Sequence, residues 1–519
     1  MLFQTQLDHE QYKQFVKSQL IQLFLKKEIR SIVRFFPFIA RFFLFNMDYL
    51  RELLIPTYHD PHHKPRDPVT LLRALLLMTL VKEPSITNWV DRLNNNKVYA
   101  IICGCEPDDV PGVGTFYDFI DRLTLADKNL KRQQRNRRKK FNRKPSKKMR
   151  KNEKLPLRHP DIVNKIVKKI IKNLDQPPYL GNYRLIYQFF IHCVVEHSAQ
   201  LALIGDTHNI VVSGDGTLIK TGASHYGKKV CNCRKFKIEN GKKVFNRCDC
   251  PRQFSDYFAA WGWDSYREQY VFGYSFYELV AASSPYDLPL FFLQAQASRH
   301  DSVPAPICFD LLRKLCRDKY HIDKFLGDGA HDNSPTYKLM EKVECEPFIP
   351  LNDRNKDNFT YQPCPINELG IPICKCDEPM VYNGYCPDRM RIKWRCPLKA
   401  NKKFAEKKQC RENNYCTTSN YGRVVYTYSQ NNLRLFTKTP RGSEKWLNTY
   451  DKRTSSERSN KRKKTDYRIE QARVRSRDQW FVRYSLAAIC QHLDAWVKTS
   501  NTNFKELCKS WEDEVETNI

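Results

Sequence analysis

No part of this chain is apolar for long enough to cross a bilayer. The richest stretch, IVRFFPFIARFFLFN over 32–46, is broken by Arg34, Pro37 and Arg41. A spanning helix needs about 20 predominantly apolar residues with few or no charges, so this segment reads as a buried helix. The N-terminus also lacks a basic region followed by an unbroken apolar run, which argues against an export signal. A reducing compartment is then expected, where close pairs among the 19 cysteines mean metal sites more often than disulfides. Acid is the other shortage. The 57 Asp+Glu stand against 88 Lys+Arg, a formal net charge of +31. A polyanion suits such a surface, through counterion release and long-range steering.

What is present divides the chain. Residues 1–127 carry apolar residues at helical spacing, with helix-start signals at Asp67 and Ser85. They read as a helical N-terminal domain, either a DNA-binding module of the helix-turn-helix kind or a packing domain without DNA contact. Residues 128–160 form a basic linker, in which 15 Lys/Arg and the single acid Glu153 fall within 128–154. The block includes Arg137, Arg138, Lys139 and Lys140; it is either simply solvated or binds phosphates without reading sequence. From 161 to 354 an amphipathic helix (161–175) precedes strands at 209–220, 270–282 and 288–297. A helix (302–319), a short strand ending near Asp328, a helix (334–343) and a strand (346–352) follow. This order predicts an α/β fold with a mixed sheet. Residues 355–420, rich in Cys, Pro and Asn, read as an insertion of short strands. Residues 421–519 return to the core with a strand at 422–429, a basic helix and a long amphipathic helix at 475–498.

The basic helix carries the most specific pattern. Tyr450, Arg453, Glu457 and Lys464 stand at relative positions 0, 3, 7 and 14. At ~100° per residue they fall within roughly 60° of arc on one helix face. A metal ion and a phosphate backbone suit that face; an apolar core does not. Asp215, between Gly214 and Gly216, and Asp328, before Gly329, each follow an apolar run, at or near a strand end where glycines permit close approach. Brought together with Glu457, three carboxylates are costly unless cations sit between them. Hard divalent ions, Mg²⁺ or Mn²⁺, satisfy that need, and two of them about 4 Å apart can serve phosphoryl transfer. His300-Asp301 and His331-Asp332 either line the same site or cap helix starts.

SGDGT at 213–217, GDGAHD at 327–332 and Y-x(2)-R-x(3)-E-x(6)-K at 450–464 together resemble the DDE transposases of bacterial insertion sequences. The last motif is similar to the signature of the insertion sequence 4 superfamily, and the resemblance extends over about 205–500. It implies a ribonuclease H-like core and Asp215, Asp328 and Glu457 as the metal-binding catalytic triad. Tyr450, Arg453 and Lys464 would contact phosphates near the cleaved end. It also implies a β-rich insertion between the second Asp and the Glu, and a cytoplasmic, nucleoid-associated enzyme. The expected partners are transposon-end and target DNA, with two copies pairing two ends. A transposase-derived DNA-binding protein without catalysis, a ribonuclease H-like nuclease without strand transfer, and a zinc-dependent DNA-binding regulator are the competing readings.

The last of these draws on the cysteines. Cys231, Cys233, Cys248 and Cys250 form C-x-C-x(14)-C-x-C, either a tetrahedral zinc site or thiols in a reduced hairpin. A second group, Cys364, Cys374, Cys376, Cys386, Cys396, Cys410 and Cys416, suits a structural zinc without defining its ligands.

Overall fold

The computed structural model describes residues 3–511 except 5, 25–28, 59–63, 136–158, 234–235, 246–249, 318, 354–359, 402–415, 502, 504–505 and 507–508. Arg137, Arg138, Lys139, Lys140, Cys248 and Cys410 therefore lie outside the described residues.

The strands in chain order are β1 (Ile210–Lys220), β2 (Lys228–Lys229), β3 (Phe236–Glu239), β4 (Lys242–Phe245), β5 (Arg252–Gln253), β6 (Ala260–Asp264), β7 (Gln269–Ala281), β8 (Pro289–Gln296), β9 (Ile322–Leu326), β10 (Glu346–Phe348), β11 (Val381–Cys386), β12 (Arg391–Arg395) and β13 (Val424–Tyr428). The fold is α/β. Its mixed sheet runs β10-β9-β1-β7, with β6 and β8 each pairing β7. β1 is antiparallel to β7, and β7 to β8, whereas β9 and β10 run parallel to β1. Parallel neighbours need crossover connections. The helices Pro304–Leu315 and Ser334–Lys342 lie in the segments leading to β9 and β10. The second is capped by Asn333, whose side chain accepts from Thr336 N–H.

Both faces of the sheet are covered. Successive strand residues point to opposite sides, so Phe276 and Glu278 share one face of β7 and Tyr277 takes the other. Phe276 stacks on Tyr484 of the long helix Arg477–Thr499, with ring centroids 4.2 Å apart. The peptide carbonyl of Tyr277 accepts from the Cys308 thiol of the crossover helix Pro304–Leu315. Burial on both sides explains why β7 reads as a nearly unbroken apolar run instead of an alternating one.

The N-terminal helices form no separate core. Tyr12, Phe36, Leu75 and Trp89 belong to the same buried cluster as Phe292, Trp480 and Trp496. Asp67 and Ser85 do cap helices, accepting from Val69 and Asn88 N–H. The 32–46 segment is a 3-10 turn, Ile29–Phe35, followed by the helix Phe36–Phe43, which buries Phe36, Ile39 and Phe42. Arg41 leaves the apolar face to meet Asp494 at 2.8 Å. Among the described residues no helix is long and apolar enough to cross a membrane.

A buried histidine ties these layers together. His492 Nε2 donates to the Pro289 carbonyl (2.8 Å), while Nδ1 faces the Ser198 hydroxyl (2.7 Å), which accepts in turn from Trp496 Nε1 (2.8 Å). Burial depresses the His492 pKa to about 3. The folded state therefore holds a neutral ring where the unfolded chain, titrating near 6.5, binds a proton. This contribution is fully present above pH ~6.5 and declines by up to ~1.4 kcal/mol per pH unit as the pH falls toward 3. Thermal midpoints recorded between pH 7 and 4 should fall for the wild type, and His492→Gln should flatten that acid limb.

The cysteine-rich insertion has its own small core of Tyr361, Met380, Ile392, Trp394 and Phe436 with four buried cysteines. Its sheet runs β11-β12-β13. β13, expected from sequence to resume the main core, instead pairs antiparallel with β12. Local pattern cannot distinguish two sheets that a strand of this composition could join. Trp394 is a core residue here, its Nε1 donating to Thr427 Oγ1 at 2.8 Å. Buried arginines anchor the segment after β13: Arg434 grips Asp332 through two bonds of 2.8 and 2.6 Å, and Arg441 donates to the Ile349 carbonyl and the Tyr337 hydroxyl.

Candidate active site

β1 and β9 lie side by side and parallel, with Ser213 opposite Leu326. Two residues further along each chain come Asp215 and Asp328, so the register brings the two aspartates to the same level. β9 ends at Leu326, whereas β1 continues to Lys220. Asp215 thus sits mid-strand and not at a strand end, and Asp328 caps the short turn Gly329–His331.

The flanking glycines make room for particular side chains. A Cβ on Gly214 would lie 2.1 Å from the Tyr277 hydroxyl, and one on Gly216 would lie 2.1 Å from Asp301 Oδ1. The Tyr277 hydroxyl contacts His331 Nε2 at 2.8 Å, and His331 Nδ1 contacts Asp328 Oδ1 at 2.7 Å. Tyrosine, histidine and aspartate form a relay that fixes the Asp328 carboxylate, which also accepts from Ala330 N–H.

Asp301 and His331 thus line the site, a placement the sequence left open. Asp301 does not cap the following helix; its carboxyl faces Gly216 and neighbours Asp215. Asp332 does not cap a helix either, because Arg434, the Tyr337 hydroxyl and Asn352 N–H occupy it. The sequence signal for Asp301 was Gly216 itself, which needs to be small only if something large approaches it.

The electrostatics record the crowding. The Asp215 carboxyl is pushed up to about 7, first by burial and then by the charges of Asp301 and Asp328, against a hydrogen bond of 3.1 Å from Asn460 Nδ2. Burial also raises Asp301, with the charge of Asp328 adding to it against the opposing pull of His331 and His300. Asp328 goes the other way: burial opposes its ionisation, but the bond and charge of His331, the Ala330 N–H and Arg453 together bring it below its usual value. His331 is raised in turn, because three carboxylates outweigh its burial.

The helix Thr454–Thr465 lies across β1. The Ser213 hydroxyl donates to the Arg453 carbonyl (2.8 Å) and contacts Ser456 Oγ (2.8 Å). Further along, Asn460 reaches Asp215, and Lys463 reaches Glu278 Oε2 at 2.6 Å. Glu457 is half-exposed, its carboxylate held by Arg453 at 2.7 Å. Arg453 is the electrostatic link, because its charge is felt by Glu457, Asp215 and Asp328 alike.

The expected single helical face is divided. Tyr450 ends the helix Glu444–Tyr450, a 3-10 turn spans Asp451–Arg453, and a second helix carries Glu457 and Lys464. Tyr450 stacks on Trp446, which packs on Phe348 of β10. Lys464 is near Glu470 at 3.6 Å. The buried lysine of this helix is its neighbour Lys463, which no motif singled out.

Away from this site, Cys231, Cys233 and Cys250 bring their sulfurs within 4.8 Å of one another and can hold a metal ion such as zinc. They are the group of this kind among the described residues. In the insertion, Cys374 contacts Cys376 and Cys396, but no three described cysteines there converge as closely.

The chain matches no protein-family model, no curated protein and no solved structure at a significant level.

Proposed function

We propose that this chain is a DDE-type DNA transposase, cleaving phosphodiesters at the ends of a mobile element and joining them to target DNA. One observation carries the reading: Asp215 on β1 is level with Asp328, two residues past the end of the parallel neighbour β9, and the helix that carries Glu457 is pinned to β1 through Ser213 and Asp215. The sheet supports a ribonuclease H-like core, since three antiparallel strands (β1, β7, β8) are followed by two parallel to the first.

Carboxylate oxygens are the donors that hard divalent cations, Mg²⁺ or Mn²⁺, take, although the oxygens of Asp215, Asp328 and Glu457 do not draw together as closely as the sulfurs of Cys231, Cys233 and Cys250. Burial first, and then the charges of Asp301 and Asp328, push the Asp215 carboxyl up to about 7, a strain that a bound cation would relieve. Asp215 and Asp328 would hold the ions, with Glu457 closing the set and Asp301 adjoining it. Bound divalent ions supply an activated oxygen nucleophile and stabilise the leaving oxygen. The chain's own groups position these ligands. Tyr277 and His331 orient Asp328, and Asn460 orients Asp215. Arg453 restrains Glu457 until a phosphate competes for its guanidinium, a planar fork matched to phosphate oxygens. The Tyr450 ring lies beside that guanidinium, 5.7 Å from its carbon, Lys464 stands at the far end of the helix that carries Glu457, and the excess of Lys and Arg draws double-stranded DNA toward the site. Pairing two DNA ends calls for two copies.

The test is incubation of the full chain with linear duplexes carrying the DNA that flanks its coding region, with Mg²⁺ or Mn²⁺. Cleavage at a fixed position leaving a 3′-OH is expected. Tight, salt-sensitive DNA binding without metal-dependent cutting would overturn the catalytic reading in favour of a binding protein.

A further inference from the structure

We propose that Cys231, Cys233 and Cys250 bind one zinc ion, which locks the base of a basic β-ribbon projecting between β1 and β6.

The need comes from the ribbon itself. Its two pieces are nested: β2 pairs with β5 at the base, and β3 pairs with β4 beyond it. The base has only two residues a side. The outer hairpin turns at Asn240-Gly241, where both residues have positive φ (51° and 73°), as a tight two-residue hairpin requires. Ile238 and Val244 are 68% and 41% exposed, so neither joins a core. An isolated two-stranded hairpin is marginal in water, and a segment too small to bury a core needs a cross-link or a metal.

The thiols stand where that cross-link is needed. Cys231 and Cys233 follow β2, and Cys250 precedes β5. Cys233 Sγ lies 3.2 Å from Cys231 Sγ and 3.3 Å from Cys250 Sγ. Those separations are more than an ångström beyond a disulfide bond of about 2.05 Å. The one-residue spacing of Cys231 and Cys233 does not prevent both sulfurs from converging. Tetrahedral zinc takes thiolates at about 2.3 Å, and three converging sulfurs fill three of its four positions.

Residues 228–253 hold nine Lys/Arg against two acids, so the ribbon is basic in sequence along its length. Lys229 Nζ donates to the Cys233 carbonyl at 2.9 Å, tying strand β2 to the cysteine turn. At the base, a Cβ on Gly227 would lie 2.6 Å from Arg252 Cβ and 2.8 Å from the Phe254 ring, so this end already packs tightly. The ion would extend that order to the outer hairpin; its role is structural.

The test uses the full chain, purified under reducing conditions without chelator. Elemental analysis should show one more zinc equivalent per chain in the wild type than in Cys231→Ser/Cys250→Ser. Stripping the wild type with a chelator should speed tryptic cutting at Lys242 and Lys243 roughly tenfold, with re-addition of Zn²⁺ restoring resistance. Equal zinc content in wild type and variant would overturn the proposal. So would a tryptic rate at Lys242 and Lys243 that ignores both chelation and zinc. Because the chelation arm uses the unaltered chain, a variant that fails to fold does not rescue or sink the result.

Discussion

Asp215→Asn should abolish metal-dependent DNA cleavage, by roughly 10³-fold or more, while making the metal-free protein more stable. The first effect follows from the proposed role, since an amide keeps the shape of the carboxylate but loses the charge that would hold a cation. The second follows from the crowding. In the folded protein the Asp215 carboxyl titrates at about 7 against an ordinary 3.8. A carboxyl raised in this way favours folding only while protonated. Its contribution is fully present below pH ~3.8 and is lost as the pH rises through about 7. The shift of ~3 units corresponds to at most ~4 kcal/mol. Asparagine pays none of that cost and can still accept the bond from Asn460. Thermal midpoints of variant and wild type should therefore coincide near pH 4 and diverge, in favour of the variant, toward pH 8. A merely structural aspartate predicts the opposite, destabilisation with cleavage intact. If Asp215→Asn cuts DNA normally, the catalytic assignment fails.

Lys463→Met should destabilise the chain by about 3–5 kcal/mol, the usual consequence of leaving one member of a buried ion pair without its partner. Lys463 and Glu278 are 1% and 0% exposed, and their atoms are 2.6 Å apart. The ammonium also meets Ser459 and Gln491, and Glu278 accepts from Tyr484. Burial lowers the lysine pKa, and the glutamate opposes that shift. The pair matters beyond stability because it fixes the helix Thr454–Thr465 on β7, directly opposite Asp215 in the β1–β7 register. Glu457 depends on that docking. Calorimetry should show the loss in Lys463→Met and recovery of most of it in Lys463→Met/Glu278→Gln, which removes both charges. A single variant as stable as the wild type would mean that the pair is not holding the helix.

These two sites differ in how visible they were beforehand. Asp215 and Asp328 stood out because each followed an apolar run and carried glycines, and both runs are strands. From sequence the glycines suit close approach by backbone or substrate. They instead admit the Tyr277 hydroxyl and the Asp301 carboxyl, from residues 60 or more positions away in the chain. Asp301, His331 and Glu278 could not be placed from local pattern, since an Asp or Glu after a strand or within one looks the same whether it faces solvent, a cap or another carboxylate. β13 shows the same limit: its apolar alternation was legible, but its partner was not.

Legible in the residues alone were the strands β1, β7, β8, β9, β10 and β13, the caps at Asp67 and Ser85, the excess of basic residues and the residue types available for chemistry, but not the short strands β2, β5 and β6. Periodicity, capping and charge act over a few residues, so they are written locally. Which carboxylates become neighbours, that Lys463 and not Lys464 is buried, and that the N-terminal helices share one core with the sheet were settled by long-range packing. Those outcomes depend on strand register and helix docking across hundreds of residues, where burial and low dielectric turn a list of charged side chains into a set of mutually shifted ones.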